Sequence, residues 1–271
     1  MSVDHSAPPQ AEWSVGPFDG DDERSLVVLL ALNVKLHMKS YSDTGTPNPE
    51  FTLMSYKKLA HQYDATCRLI APVRRKTIEL LGLSKGETVI DIASGTGLSL
   101  PALSQAVGPQ GRVIAVELCP DMAAIAQHRI EVNHLDNVTQ IVASMEAASI
   151  DDSADALLFH YTHDVLRSSA AIERIFRAAK PGARVAIAGF KLPTDWRRVF
   201  NPWHRHRACG YLSTFEGVHA PWDRLLPYVN DFQIHAEIFV GSGYIATARA
   251  PKPLNGLSQS APFNRSRELR Q

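Results

Sequence analysis

The 271-residue chain has only three cysteines, Cys67, Cys119 and Cys209, far apart and without a C-x-x-C pair. Neither a disulfide framework nor a cysteine zinc site fits that pattern. Reduced, structural thiols in a cytoplasmic setting do. Neither charge is in surplus, since Lys plus Arg and Asp plus Glu are each 28. A dedicated nucleic-acid binder carries a basic excess, so no nucleic-acid partner is expected. Long apolar runs are missing as well. The most apolar early run, Leu26–Leu32, is too short to cross a bilayer, and no stable membrane insertion is expected. The first residues are acidic and rich in Pro and Gly, without the basic start and apolar stretch of a signal peptide. What is present is 45% hydrophobic and 21% charged residues, the mix of a soluble globular protein rather than a disordered or fibrous one.

The neutral total is a sum of unlike parts. Residues 1–24 hold six acids against one base, and residues 250–271 hold four bases against one acid, which leaves the body between them at +2. Both ends, 1–22 and 251–271, lack helical or strand periodicity and read as disordered tails. The length allows one large domain or two small ones. About 225 patterned residues lie between the tails, with no internal repeat.

Residues 25–38 and 51–82 carry helical spacing, and Gly82 is placed to stop the second stretch. From Thr88 the texture changes. Short β-branched runs at 88–93, 112–117, 138–143, 155–160 and 184–190 alternate with helical patterns at 98–107, 121–134 and 169–179 and a short turn near 145–150. Such alternation predicts a parallel sheet covered by helices, with its ligand edge at the carboxyl ends of the strands. Residues 191–228 break the alternation. Two further strands, 232–240 and 244–250, are joined by Gly241-Ser242-Gly243 as an antiparallel hairpin.

The most informative segment is Val89-Ile90-Asp91-Ile92-Ala93-Ser94-Gly95-Thr96-Gly97, an apolar strand entering a Gly-x-Gly turn ahead of a helix. Glycines allow the sharp turn and close ligand approach, and the helix N-terminus offers free N–H groups. A dinucleotide site wants a third glycine where Leu100 stands. Asp91 would repel a pyrophosphate but suits a ligand carrying an ammonium group, as S-adenosylmethionine does. Glu117 ends the next strand, 20 residues after Gly97, where a carboxylate can accept both ribose hydroxyls.

VIDIASGTG followed by GRVIAVELCPDM resembles the class I S-adenosylmethionine-dependent methyltransferases. The likeness continues through Asp155-Ala156-Leu157-Leu158 and through the Pro181-Gly182 turn before the fifth strand. The resemblance implies an α/β fold: a Rossmann-like seven-stranded sheet, mostly parallel with a C-terminal antiparallel hairpin, with helices on both faces and an N-terminal helical extension. It implies one methyltransferase domain over 23–250: helical extension 23–85, cofactor-binding core 86–190, substrate lid 191–228 and terminal hairpin 229–250. S-adenosyl-L-methionine would be the cofactor. Asp91, Ser94, Gly95 and Gly97 would line its methionine part, Glu117 would hold the ribose and Leu118 would flank the adenine. The family often has an Asp after the third strand where this chain has Ser144, so the adenine contact can pass to Met145. Tyr63-Asp64 resembles a Tyr-Asp pair found ahead of the core in small-molecule and lipid methyltransferases, whose tyrosine closes over the cofactor.

The fourth strand runs into Phe159-His160-Tyr161-Thr162-His163-Asp164 at the ligand edge. His163 and His160 are the candidate catalytic bases, with pocket wall as the alternative for each, cofactor stacking a further one for His160, and Asp164 a candidate to orient a histidine. Residues 191–228 are rich in Trp, His, Arg and Pro, suited to a lid, and their local charge of +3 suggests a mild preference for an anionic acceptor. His204-x-His206 lacks a nearby Cys or paired carboxylate, and no metal is expected. The expected function is methyl transfer to an O or N atom of a small molecule, with secondary metabolism as one setting, by a monomer or homodimer in the cytoplasm. A lipid-headgroup N-methyltransferase and a non-catalytic cofactor-binding protein stay open, while Leu100 disfavours a dehydrogenase.

Overall fold

The structure is a computed structural model and describes residues 45–150 and 153–251. The expected helix over 25–38 and the two expected tails, apart from Pro251, lie outside the described residues. Helix α1 (Pro49–Thr66) starts where Asn48 caps it, its side chain accepting the Phe51 amide at 3.1 Å, with proline in the first turn. The single helical stretch expected over 51–82 is in fact broken. A 3-10 turn at Arg68–Ile70 separates α1 from α2 (Ala71–Leu81), because Pro72 cannot continue a hydrogen-bonded helix. Gly82 ends α2 in the left-handed conformation, φ 60°.

The core then alternates as expected: β1 (Thr88–Ile92), α3 (Leu100–Val107), β2 (Arg112–Glu117), α4 (Pro120–Val132), β3 (Val138–Val142), β4 (Ala154–His160), α5 (His163–Leu166), α6 (Ser169–Arg177) and β5 (Ala179–Phe190). The lid segment contains a 3-10 turn (Trp196–Phe200) and α7 (Asn201–Ala208), so it is more regular than its sequence suggested. β6 (Asn230–Ile238) and β7 (Gly243–Arg249) close the chain. Pro181-Gly182 does not precede the fifth strand but is absorbed into it. The β4–β5 register shifts between Ala154 and Ala156 to accommodate the extra residues.

The seven strands are ordered β3-β2-β1-β4-β5-β7-β6, and β7 runs antiparallel between β5 and β6. The central strands are apolar on both faces, as a sheet covered on both sides requires. Ile90, Ile92, Leu157, Phe159 and Ile187 pack on one side with α6, and Val89, Ala156, Leu158 and Ala186 pack on the other with α2 and α3. Strand alternation therefore turns Asp91 toward the α2 side. The strand order reverses between β1 and β4, the point at which open α/β sheets bind ligands beyond their strand tips. α1 and the lid are stitched together there. Asn48 N–H donates to Ser213 Oγ at 3.0 Å, Tyr56 OH to the Tyr211 carbonyl at 3.2 Å, and Thr214 Oγ1 to the Gly45 carbonyl at 3.2 Å.

Candidate active site

Ala93 and Tyr161, the residues directly after β1 and β4, both take left-handed backbone at φ 53° and 60°. Non-glycine residues adopt this conformation only where the surroundings enforce it, and such strain gathers at functional sites. The two turns open the strand tips into two adjoining cavities. The larger measures about 930 Å³ with the open space at its mouth included, and the smaller about 300 Å³ on the same measure. Tyr63, Ala93, Gly95 and His160 line both and so join them.

Glu117 is 7% exposed at the end of β2. Its Oε2 accepts the Gly95 amide and its Oε1 the Cys119 amide, each at 2.8 Å. Burial pushes its carboxyl up, opposed by the amides of Cys119, Gly95 and Leu118. Each oxygen keeps a lone pair for a further donor. Leu118, Ser144 and Met145 line the same cavity, as do His163 and Asp164 at its far end.

The smaller cavity holds Asp91, Ser94 and Arg74. Asp91 is raised to about 7 by burial, with Arg74 pulling it down and Glu117 pushing it up. Asp91 Oδ2, Ser94 Oγ and His160 Nε2 are buried without a hydrogen-bond partner. Among the described residues no carboxylate lies within ion-pair distance of Arg74. Three orphaned atoms are costly in a folded protein unless a ligand completes them.

Gly97 lies outside both cavities. A Cβ there would stand 2.8 Å from Leu100 Cδ1 and 3.0 Å from Ala126 Cβ, so its place in the structure is the close packing of α3 and α4 on the turn. Tyr63 faces the cavities, with Gly95 beside its ring, while its neighbour Asp64 does something else. Asp64 accepts Thr96 Oγ1 and Arg129, each at 2.5 Å, and so ties α1 to the glycine turn and to α4.

The two histidines differ. Burial first, and Arg74 second, hold the His160 ring well below its usual value. His163 is 5% exposed and lowered to about 4, by burial and then by Arg167. Both rings are therefore neutral near pH 7. Asp164 makes no hydrogen bond to His163 and so does not orient it. Asp164 instead accepts Thr52 Oγ1 at 3.0 Å and the Ser213 amide at 3.3 Å, because the α5 turn points it at α1 rather than back at its neighbour.

Much of the lid's positive charge is paired with carboxylates or stacked on aromatic rings. Arg197 pairs with Asp195 and Glu237, Lys191 with Glu237, and Arg224 with Glu216. Arg205 lies over Phe215 and Arg207 over Trp203 at 4.4 and 4.7 Å. Among the described residues no Lys or Arg lines the larger cavity, so its lining lends no support to the preference for an anionic acceptor drawn from local charge. His204 is buried against Phe200 and Trp203 while His206 is exposed on the same helix, and no three His, Cys, Asp or Glu side chains gather among the described residues. No helix among them is long and apolar enough to cross a membrane.

Sequence reasoning missed Arg74, which sits in a run, Arg74-Arg75-Lys76, that looks like a solvated face. Its signal was position: it lies on the helix that covers the Asp91 side of the sheet.

Comparison with known proteins gives one consistent answer. A family model described as a methyltransferase domain matches residues 83–231. The ubiquinone/menaquinone biosynthesis C-methyltransferase of Pasteurella multocida is 30% identical over 123 residues, covering 44% of this chain and 46% of the relative. The chain thus matches about half the length of the curated relatives. An S-adenosylmethionine-dependent methyltransferase structure from Aquifex aeolicus aligns with TM-score 0.51 at 22% identity, over 72% of this chain and 98% of that one. A Haemonchus contortus phosphoethanolamine N-methyltransferase, in complex with phosphomonomethylethanolamine and S-adenosylhomocysteine, aligns with TM-score 0.51 at 16% identity, over 68% and 53%. At such identities the solved structures establish the fold alone.

Proposed function

The chain belongs to the S-adenosylmethionine-dependent methyltransferase family, and from that premise we propose that it transfers the methyl group of S-adenosylmethionine to an O or N atom of a small-molecule acceptor. The observation that carries this reading is continuity: one cavity runs from Glu117, Leu118 and Met145 past His160 to His163 and Asp164. Nucleoside-binding groups and acceptor-side groups therefore share one space.

The residues present fit the cofactor. Asp91 would take the ammonium of its amino-acid end and Arg74 the carboxylate, which would also complete the orphaned Ser94 and Asp91 oxygens. Glu117 would accept ribose hydroxyls on the lone pairs its two amides leave free. Leu118, Ser144 and Met145 would border the adenine. When bound, S-adenosylmethionine supplies an electrophilic methyl group on a sulfonium. The protein's part is to hold an acceptor atom in line with it and keep water out, which can supply much of the rate. Neutral His163 can receive the acceptor's proton, though a base held near 4 is weak for an alcohol.

Transfer of labelled methyl from S-adenosylmethionine to a panel of acceptors tests this function. His163→Ala is expected to keep S-adenosylhomocysteine binding and lower turnover, and equal turnover would leave His163 as pocket wall. A second reading, an acceptor carried on a lipid surface, is favoured by one observation. Trp196, Val199 and Phe200, 73%, 69% and 43% exposed, share a single 3-10 turn of the lid. Vesicle sedimentation separates the two, since a protein with a soluble acceptor stays in the supernatant at low salt.

A further inference from the structure

The acceptor end of the larger cavity has an unusual electrostatic character. Among the described residues no lysine or arginine lines it, while Asp164 faces it together with Tyr56, Tyr161 and Tyr211. Two of the guanidinium groups nearby have other partners, and it is only through space that Arg74 and Arg207 act on Tyr161. Arg167, behind His163, pairs with Asp223 and Glu216, and Arg207 stacks on Trp203. Asp164 has Thr52 and Ser213 as hydrogen-bond partners and no cation among the described residues. A carboxylate partly withdrawn from water is more stable beside a positive charge, and this one has none among the described residues. A second observation points to a ligand at the same place. Thr162 and His163, 6% and 5% exposed, line the cavity, and the buried Thr162 Oγ1 has no hydrogen-bond partner.

Chemistry narrows what would complete such a site. A carboxylate or phosphate would meet Asp164 with no compensating cation. An alcohol would need a stronger base than a histidine held near 4. An ammonium would pair with Asp164, face the tyrosine rings favourably and offer hydrogen-bond donors to His163 and Thr162. Tyr56 and Tyr161 stay neutral, since burial raises their hydroxyls.

We infer that the acceptor is a small amine that enters as an ammonium and is seated by Asp164, Thr162 and the Tyr56, Tyr161 and Tyr211 rings. This rests on the methyl-transfer reading above. One N–H proton passes to the Asp164 carboxylate. The freed lone pair forms the C–N bond as the C–S bond breaks with its electrons remaining on sulfur. The products are the N-methylated ammonium, S-adenosylhomocysteine and one proton, which leaves Asp164 for solvent. The amine can be free or the headgroup of a lipid.

The experiment is calorimetry on protein saturated with S-adenosylhomocysteine, using two matched sets: propylamine, 1-propanol and propionate, and phenethylamine, 2-phenylethanol and phenylacetate. In at least one set the amine is expected to bind ten-fold or more tightly than its alcohol, with the carboxylate weakest. Asp164→Asn keeps the acceptor for Ser213 and should abolish that preference while leaving S-adenosylhomocysteine affinity unchanged. The wild-type ranking stands even if the variant does not fold. Stronger capture by phosphatidylethanolamine than by phosphatidylglycerol vesicles assigns the amine to a lipid, and equal capture assigns it to a free molecule. The inference is overturned if neither amine binds, or if an alcohol or carboxylate binds as well as its amine. Failure of S-adenosylhomocysteine itself to bind instead removes the methyl-transfer reading, and this inference with it.

Discussion

The Glu117 carboxylate and the Gly95 amide stand 2.8 Å apart, so the group proposed to hold a ribose also holds the glycine turn in shape. Cofactor affinity and local order are thereby coupled through one side chain. Glu117→Ala removes both the acceptor for the ligand and the acceptor for two buried amides. We expect S-adenosylhomocysteine binding to weaken by more than tenfold, ~1.4 kcal/mol or more, together with a lower melting temperature. Calorimetry beside thermal melting checks both, and an unchanged affinity would show that the ribose lies elsewhere.

Arg74 and Asp91 are assigned to the two charges of an amino-acid end. Arg74→Ala should therefore weaken S-adenosylhomocysteine, which has that end, and leave 5′-methylthioadenosine, which lacks it, within about twofold. Equal losses for both ligands would place Arg74 outside the ligand's reach.

Gly217 sits at φ 66°, and a Cβ there would fall directly on the Arg167 guanidinium that pairs with Asp223 and Glu216. Gly217→Ala combines left-handed strain with displacement of a buried, paired charge. A loss of about 2 kcal/mol or more is expected in denaturant unfolding. An effect below about 0.5 kcal/mol would mean that Arg167 moves aside freely.

His204 is held at about 4, by burial and then by Arg207, against an ordinary value of 6.5. Between those values the unfolded chain binds a proton that the folded chain does not, so His204 makes stability rise with pH through that window. The cost is absent above about pH 6.5 and fully present below about pH 4, where it reaches roughly 3 kcal/mol. Asp91, raised to about 7, acts with opposite sign, so the wild-type curve alone is ambiguous. The difference between wild type and His204→Phe is not. The variant should gain relative stability as pH falls from 6.5 to 4 in urea titrations, and a constant difference would contradict the account.

Much of the fold was legible because both of its periods are strong. The seven strands lie within a few residues of their expected bounds, and Asp91 and Glu117 fall at strand tips facing cavities. What was not legible is which charges meet. The lid's local surplus ignored Glu237, which lies beyond the counted window yet pairs with Lys191 and Arg197. Asp164 was read beside its sequence neighbour, whereas its partners come from α1 and from Ser213, distant in sequence and near only once the lid has folded. Arg74 looked like a solvated cation because nothing local shows that α2 covers the Asp91 face. Gly97, read as a lining residue, serves helix packing, a distinction that the Gly-x-Gly spacing does not carry.

The measurement that bears most directly on the whole account is calorimetric titration of the protein with S-adenosylhomocysteine, repeated with 5′-methylthioadenosine. The account predicts one site per chain for both, with S-adenosylhomocysteine the tighter because Asp91 and Arg74 engage its amino-acid end. No binding of either at millimolar concentration would contradict it.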